Sequence, residues 1–158
     1  MQNFIRLAAV RGIQGGKAFY LAAIPFATSV RLLRTDRRSI IGRGINRTRV
    51  NRLVDYLLAP GPGHVVPPVH VSVEGDLRFE AHRDTREAGA VEIEHAADLR
   101  IVDGLNRVAA IAKAIERRPG LSRETLPVCF HVALSMEACA SMFDTLNRRA
   151  IKPPPLRT

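Results

Sequence analysis

The chain of 158 residues has only two cysteines, Cys129 and Cys139, and neither belongs to a CxxC pair. Its five histidines do not complete a zinc-ligand spacing. Both cysteines lie in apolar stretches, where a free thiol behaves as a small hydrophobic group. These absences argue against a disulfide-rich secreted domain. They predict a reduced, cytoplasmic setting and no metal site.

Long hydrophobic runs are also missing. No segment approaches the roughly 20 apolar residues that a membrane span needs. Arg6 and Arg11 interrupt the first apolar stretch, so it does not resemble a signal peptide. The composition is that of an ordinary globular protein, and its length suits a single domain over residues 1–158.

Negative charge is nearly absent from residues 31–52, which hold eight arginines and one acid, Asp36. Residues 74–98 show the reverse, with eight acids and three arginines. A basic segment suits a polyanion partner, because neutralising phosphates releases counterions. The alternative is that these arginines only form a hydrated surface. The residues predicted to contact DNA are Arg43, Arg47, Arg49 and Arg52.

Hydrophobic patterning predicts several elements in the first half of the chain. An apolar run over Ala18–Phe26 indicates a strand. Asn46 is a good N-cap for an amphipathic helix that ends before Pro60. Val69–Val73 and Leu77–Ala81 flank a glycine-containing turn and predict a hairpin.

The second half predicts a short strand at 90–93, a helix after Gly104, a buried strand at 126–134 and a last helix capped by Ser135. Strands and helices are therefore interspersed. The expected class is α+β, with helices packed on a small mixed sheet.

Residues 100–107 (RIVDGLNR) predict a strand, a glycine turn and the start of a helix. Such a helix start offers free N–H groups and partial positive charge, and Gly104 would let an anion approach the backbone. Asn106 adds an amide and Arg107 a planar guanidinium suited to phosphate. The alternatives are that Asp103 only caps the helix, that Gly104 only permits the turn, and that Arg107 pairs with a nearby acid.

These residues resemble the motif of the DGQHR-domain family, in which a strand leads to Asp-Gly-Gln-His-Arg and an alanine-rich helix. The chain keeps Asp103, Gly104 and Arg107, and it has Leu105 and Asn106 where the family has Gln and His. Three further segments follow the order and spacing of DndB-type members: GIQGGK at 12–17, GINRTR at 44–49 and MFDTLNRRA at 142–150. The resemblance covers nearly the whole chain.

The resemblance implies a fold similar to the ParB and sulfiredoxin group, in which an equivalent turn holds nucleotide phosphates. DndB-type proteins are regulators that bind promoter DNA in DNA sulfur-modification (phosphorothioation) gene clusters. By this likeness, Asn147 and Arg148 join Arg107 around one anionic ligand, with a nucleoside triphosphate as the only cofactor candidate. The residues predicted to bind a phosphate or nucleotide are therefore Asp103, Gly104, Asn106, Arg107, Asn147 and Arg148. A nucleotide-binding switch or NTPase, and an interaction module that binds other modification proteins, are the alternatives to a DNA-binding regulator.

The departures from the motif argue against catalysis. Asn106 replaces the one side chain with a pKa near neutrality, so we predict no catalytic residue at that position. The chain also ends soon after the LNRRA segment, where relatives continue. It is therefore expected to be a fragment, a truncated paralogue or a compact member of the family.

Overall fold

The computed structural model describes residues 3–35, 44–61 and 63–148. Within these ranges one mixed sheet contains seven strands: β1 Phe4–Gln14, β2 Lys17–Pro25, β3 Val69–Glu74, β4 Leu77–Ala81, β5 Ala88–Glu94, β6 Asp98–Asp103 and β7 Thr125–Val132. The α-helices are α1 Phe26–Leu32, α2 Arg47–Leu58, α3 Leu105–Arg117 and α4 Met136–Asn147, with a 3-10 turn at Pro119–Arg123. The predicted α+β class is confirmed. The likeness to ParB and sulfiredoxin stays a prediction.

The first strand, β1, was not expected from the sequence, because Arg6 and Arg11 break its apolar pattern. It forms an antiparallel hairpin with β2. Gly15 and Gly16 both have positive φ angles, 56° and 75°, as a two-residue hairpin turn of type I′ requires. The segment GIQGGK therefore supplies the turn between the first two strands.

The predicted hairpin of β3 with β4 is wrong. The strand order is β4-β5-β1-β2-β7-β3-β6, so four strands lie between β3 and β4. Instead β3 pairs parallel to β7 and antiparallel to β6, while β4 pairs with β5. Two strands with alternating apolar and polar residues and a two-residue link have the same sequence pattern whether or not they pair with each other.

Short links between distant strands require the sheet to curl. Only Gly75 and Asp76 join β3 to β4, and they can span about 11 Å. Five strand spacings in a flat sheet would cover about 24 Å. Only residues 95–97 join β5 to β6, which lie toward opposite edges in the strand order, so the two edges of the sheet are held close together. The sheet is therefore an open, barrel-like layer.

The main core lies between one face of the sheet and helices α1–α3. Val69, Val71 and Val73 of β3 are fully buried there, together with Phe130 of β7 and Ile111 of α3. Because side chains alternate along a strand, even-numbered residues of β3 and odd-numbered residues of β7 point to the other face. That second face is covered in part by α4, whose Cys139 is buried beside Val102 and Leu134.

The two predicted side-chain caps are confirmed, and α3 begins directly after Gly104 as expected. The Asn46 side chain caps α2 by accepting from the Arg49 N–H, and the Ser135 side chain caps α4 by accepting from the Ala138 N–H. Among the residues that the structure describes, no helix has both the length and the apolarity to cross a bilayer.

Candidate functional site

The turn between β6 and α3 is built around Gly104. Its φ of 110° lies in a region that side-chain-bearing residues rarely adopt. A Cβ added there would lie 2.7 Å from Val69 Cγ2. Gly104 itself occupies the N-cap position of α3, with no side-chain cap hydrogen bond. Asp103 therefore does not cap the helix, and its carboxylate is available for other contacts.

Asp103, Arg107 and Asn147 form one hydrogen-bonded group, here called the Asp103 cluster. Arg107 Nη2 donates to Asp103 Oδ2 at 2.8 Å and to the Pro68 carbonyl at 2.9 Å. Asn147 Nδ2 donates to Asp103 Oδ1 at 3.2 Å. The Asp103 and Arg107 side chains are only 15% and 21% exposed. Arg107 and Asn147 thus share an anion, and that anion is the carboxylate of Asp103.

The other predicted phosphate ligands have different contacts. Asn106 Oδ1 accepts from the Asn46 backbone N–H at 2.9 Å, which ties the start of α3 to the start of α2. Arg148 pairs with Asp144 at 3.5 Å and is well exposed. Of the residues expected around one ligand, the structure brings Asp103, Arg107 and Asn147 into contact, next to Gly104. Phosphate binding by this set stays a prediction.

We expect Asn106→Ala to lower the free energy of unfolding by about 1 kcal/mol, because the Asn46 N–H loses its acceptor. Urea unfolding measures the change. Asn51→Ala is the matched control, since Asn51 is an exposed asparagine on α2. An equal or smaller loss in Asn106→Ala than in Asn51→Ala would contradict a structural role for the Asn46–Asn106 bond.

A second group, the histidine–cysteine cluster, consists of His70, Cys129 and His131. His70 lies opposite Cys129 in the parallel β3–β7 ladder, and His131 follows two residues later on the same face. His70 Nδ1 and His131 Nε2 are 3.0 Å apart, and the two rings are stacked. The possible ligand atoms of all three residues lie within 4.8 Å of one another.

Burial controls the protonation of this cluster. It lowers the pKa of His131 to about 4, with the neighbouring His70 adding to the effect. Burial also lowers the pKa of His70, against an opposing influence of the Asp103 carboxylate. Burial raises the pKa of Cys129 to about 11. Near neutral pH, both imidazoles are therefore neutral and Cys129 is a thiol.

Sequence spacing did not reveal this cluster. The prediction of no metal site rested on distances along the chain, whereas the cluster comes from two strands far apart in sequence. The Cys-x-His pattern at 129–131 was a partial signal, because alternate residues of a strand share a face. The partner His70 could be found only through the β3–β7 pairing.

Two cavities flank the strand pair β3–β6. One, of about 610 Å³, is bordered by His70 and His131, by Phe19 of β2, and by Ser141 and Met142 of α4. The other, of about 880 Å³, is bordered by Leu105 at the start of α3 and by Arg31, Arg34 and Arg100. His70 and Asp103 are partners in the β3–β6 ladder. The two clusters are therefore neighbours in the sheet.

The basic residues of α2 are all on the surface. Arg47, Arg49 and Arg52 are exposed, whereas Val50 and Val54 point into the core. The first turn of α2 contains no acid. Arg43, the fourth predicted DNA contact, lies outside the described residues.

The fold and these clusters define an α+β protein with a curled mixed sheet, a partly buried carboxylate–guanidinium pair at the β6–α3 turn and a basic surface helix. The sequence profile of DndB, described as DNA-sulfur modification-associated, matches residues 7–156. The match covers nearly the whole chain, and the protein belongs to this family. Its family membership links it to DNA sulfur modification. No curated protein and no solved structure matches the chain.

Proposed function

We propose that this chain is a DNA-binding regulator of DNA sulfur modification and that it contacts phosphates through α2. The observation that carries the proposal is the exposure of Arg47, Arg49 and Arg52 on a helix whose first turn has no acid. The inner side of the same helix is anchored in the core. Solvent-facing guanidinium groups on a helix that is anchored in the core are suited to phosphate contacts.

The neighbouring helix start adds to this positive surface. The Asn46–Asn106 hydrogen bond holds the first turns of α2 and α3 together, and neither turn contains an acid. Both helices direct their partial positive ends to this region. A phosphate backbone would therefore meet the helix dipoles together with the arginine charges.

We expect the triple variant Arg47→Gln, Arg49→Gln and Arg52→Gln to bind duplex DNA at least about tenfold more weakly at low salt. Each lost phosphate contact should reduce the slope of log affinity against log salt by about 1. Fluorescence anisotropy of a labelled promoter duplex, repeated at several salt concentrations, measures both quantities.

The matched control removes three charges from other exposed arginines: Arg11→Gln, Arg83→Gln and Arg86→Gln. It should keep most of the affinity, because these residues lie on β1 and in the link between β4 and β5, whereas α2 packs on α3. If both triple variants weaken binding equally, general net charge is the cause and α2 is not the contact. If the unaltered protein does not bind the duplex at low salt, the DNA-binding proposal is refuted.

We also propose, as a second candidate function, a nucleotide-binding switch. It is supported by the cavity of about 880 Å³, which places Arg31 and Arg100 beside Leu105 in the first turn of α3. A saturating nucleoside triphosphate, tested with and without magnesium, should raise the thermal midpoint through mass action. Arg31→Gln should reduce that rise, whereas Arg117→Gln, at the far end of α3, should not. No rise with any triphosphate would exclude this function.

A further inference from the structure

We propose that His70, Cys129 and His131 form a binding site for one zinc-type transition metal ion, with a fourth coordination position open to the cavity of about 610 Å³. This inference is independent of the proposed DNA binding. The cluster lies on the face of the sheet opposite the core in which α2 is anchored.

The backbone brings the three donors together without a flexible loop. Cys129 and His131 are alternate residues of β7, and His70 is the register partner of Cys129 on β3. A tetrahedral zinc ion with two bound imidazoles holds their nitrogen atoms about 3.3 Å apart. The His70 Nδ1 to His131 Nε2 distance is 3.0 Å, so the two nitrogens need to separate by only a few tenths of an ångström. The Cys129 sulfur lies within 4.8 Å of both nitrogens and would have to move by up to about 1 Å to reach the same ion.

The donor set selects the class of metal. Two imidazoles and a thiolate are ligands typical of zinc and of copper, whereas calcium and magnesium prefer oxygen donors. His70 Nδ1 and His131 Nε2 can each offer a lone pair to the metal once the ring that donates their hydrogen bond shifts its proton to its other nitrogen. Cys129 binds as the thiolate, and its proton passes to the buffer when the metal binds.

The surroundings fit an open, three-ligand site. His70 and His131 both border the cavity, whose other wall is formed by Ser141, Met142 and Thr145 of α4. Asp103 is the register partner of His70 on β6, so a carboxylate lies next to one of the proposed ligands. Carboxylates commonly orient metal-bound histidines. The open position would accept water or an anion that enters the cavity.

The competing explanation is a metal-free pair of stacked, hydrogen-bonded histidines beside an inert thiol. Tag-free protein stripped with a chelator and titrated with Zn²⁺ distinguishes the two, using competition with a chromophoric chelator. We expect one ion per chain. Co²⁺ should give a thiolate-to-metal charge-transfer band, which histidines alone do not produce.

The two cysteines supply a matched pair of variants, since both are buried. Cys129→Ser should abolish the charge-transfer band and weaken Zn²⁺ binding more than the roughly 10- to 100-fold cost of altering an outer-shell residue. Cys139→Ser should leave both unchanged. His70→Gln should weaken binding, whereas the change at a histidine outside the cluster, His95→Gln, should not. Circular dichroism checks that each variant is folded.

Absence of stoichiometric Zn²⁺ binding to the folded, unaltered chain would overturn the proposal, as would a Co²⁺ thiolate band that survives Cys129→Ser. If Cys129→Ser does not fold, the His70→Gln titration decides: unchanged affinity refutes the site. The triple arginine variant of α2 should bind Zn²⁺ normally, so failure of DNA binding and failure of metal binding are separable.

Discussion

Replacing Arg107 with alanine should lower the free energy of unfolding by about 2 to 4 kcal/mol. The substitution leaves the Asp103 carboxylate, which is only 15% exposed, with Asn147 as its remaining cluster partner. It also removes the donor that meets the Pro68 carbonyl. Removing one partner of a largely buried ion pair costs far more than the pair contributes, because the remaining charge stays desolvated.

Urea unfolding of Arg107→Ala, Asp103→Asn and the double variant gives the coupling between the two side chains. We expect a coupling of about 1 to 3 kcal/mol, as for contacting residues in one hydrogen-bonded network. Arg148→Ala is the control, because Arg148 forms an exposed ion pair with Asp144 and should cost less than about 0.5 kcal/mol. If Arg107→Ala lowers the free energy of unfolding as little as Arg148→Ala does, the Arg107 guanidinium does not form a stabilising ion pair with Asp103.

This contact also bears on the predicted phosphate site. A phosphate that bound Arg107 would compete with a carboxylate already 2.8 Å from the same guanidinium nitrogen. Arg107 Nε is buried and has no hydrogen-bond partner among the described residues. Because Arg107→Ala also removes the hydrogen bonds to Asp103 and Pro68, it destabilises the turn as well as removing any ligand contact. Arg107→Ala is for this reason a poor test of ligand binding.

Gly104→Ala is the second substitution with a large expected effect, a loss of about 2 to 5 kcal/mol in the free energy of unfolding. An alanine at φ 110° is strained by about 1 to 3 kcal/mol. Its Cβ would also approach Val69 Cγ2 to 2.7 Å, and Val69 is fully buried. Overpacking of this kind adds about 1 to 3 kcal/mol.

Gly120→Ala is the matched control, because a Cβ added at Gly120 meets no atom within 4 Å and its φ is not positive. Urea unfolding of the two variants should differ by more than about 2 kcal/mol. A Val69→Ala change made together with Gly104→Ala should relieve the clash but not the backbone strain. Equal stability of the two single variants would mean that the turn tolerates a side chain and that Gly104 serves another purpose.

Local signals in the sequence determined most of the helical layer. Asn46 and Ser135 are side-chain caps, Pro60 follows the end of α2, and the apolar stripes of α2 and α3 are the faces that pack into the core. These predictions were confirmed because a side-chain cap and an apolar helix face each depend on residues only a few positions apart in the sequence.

Strand pairing was decided by tertiary structure. Apolar and polar residues alternate in β3 and β4 on the two sides of Gly75, as they do in a hairpin. β3 instead lies at the other side of a curled sheet, where it has two hydrogen-bonded neighbours, β6 and β7. The strand β1 has a broken apolar pattern and is stabilised by pairing with both β2 and β5. Alternation reports which face of a strand is buried, but it does not specify the partner.

The sequence by itself determined the family resemblance, the α+β class, the basic character of α2 and the glycine turn that follows Asp103. Only the tertiary structure showed that Asp103 is the anion shared by Arg107 and Asn147, and that His70 meets Cys129 and His131. The physical reason is the same in both cases. Each cluster joins residues from separate strands or helices, and the register that aligns them depends on the packing of the whole sheet.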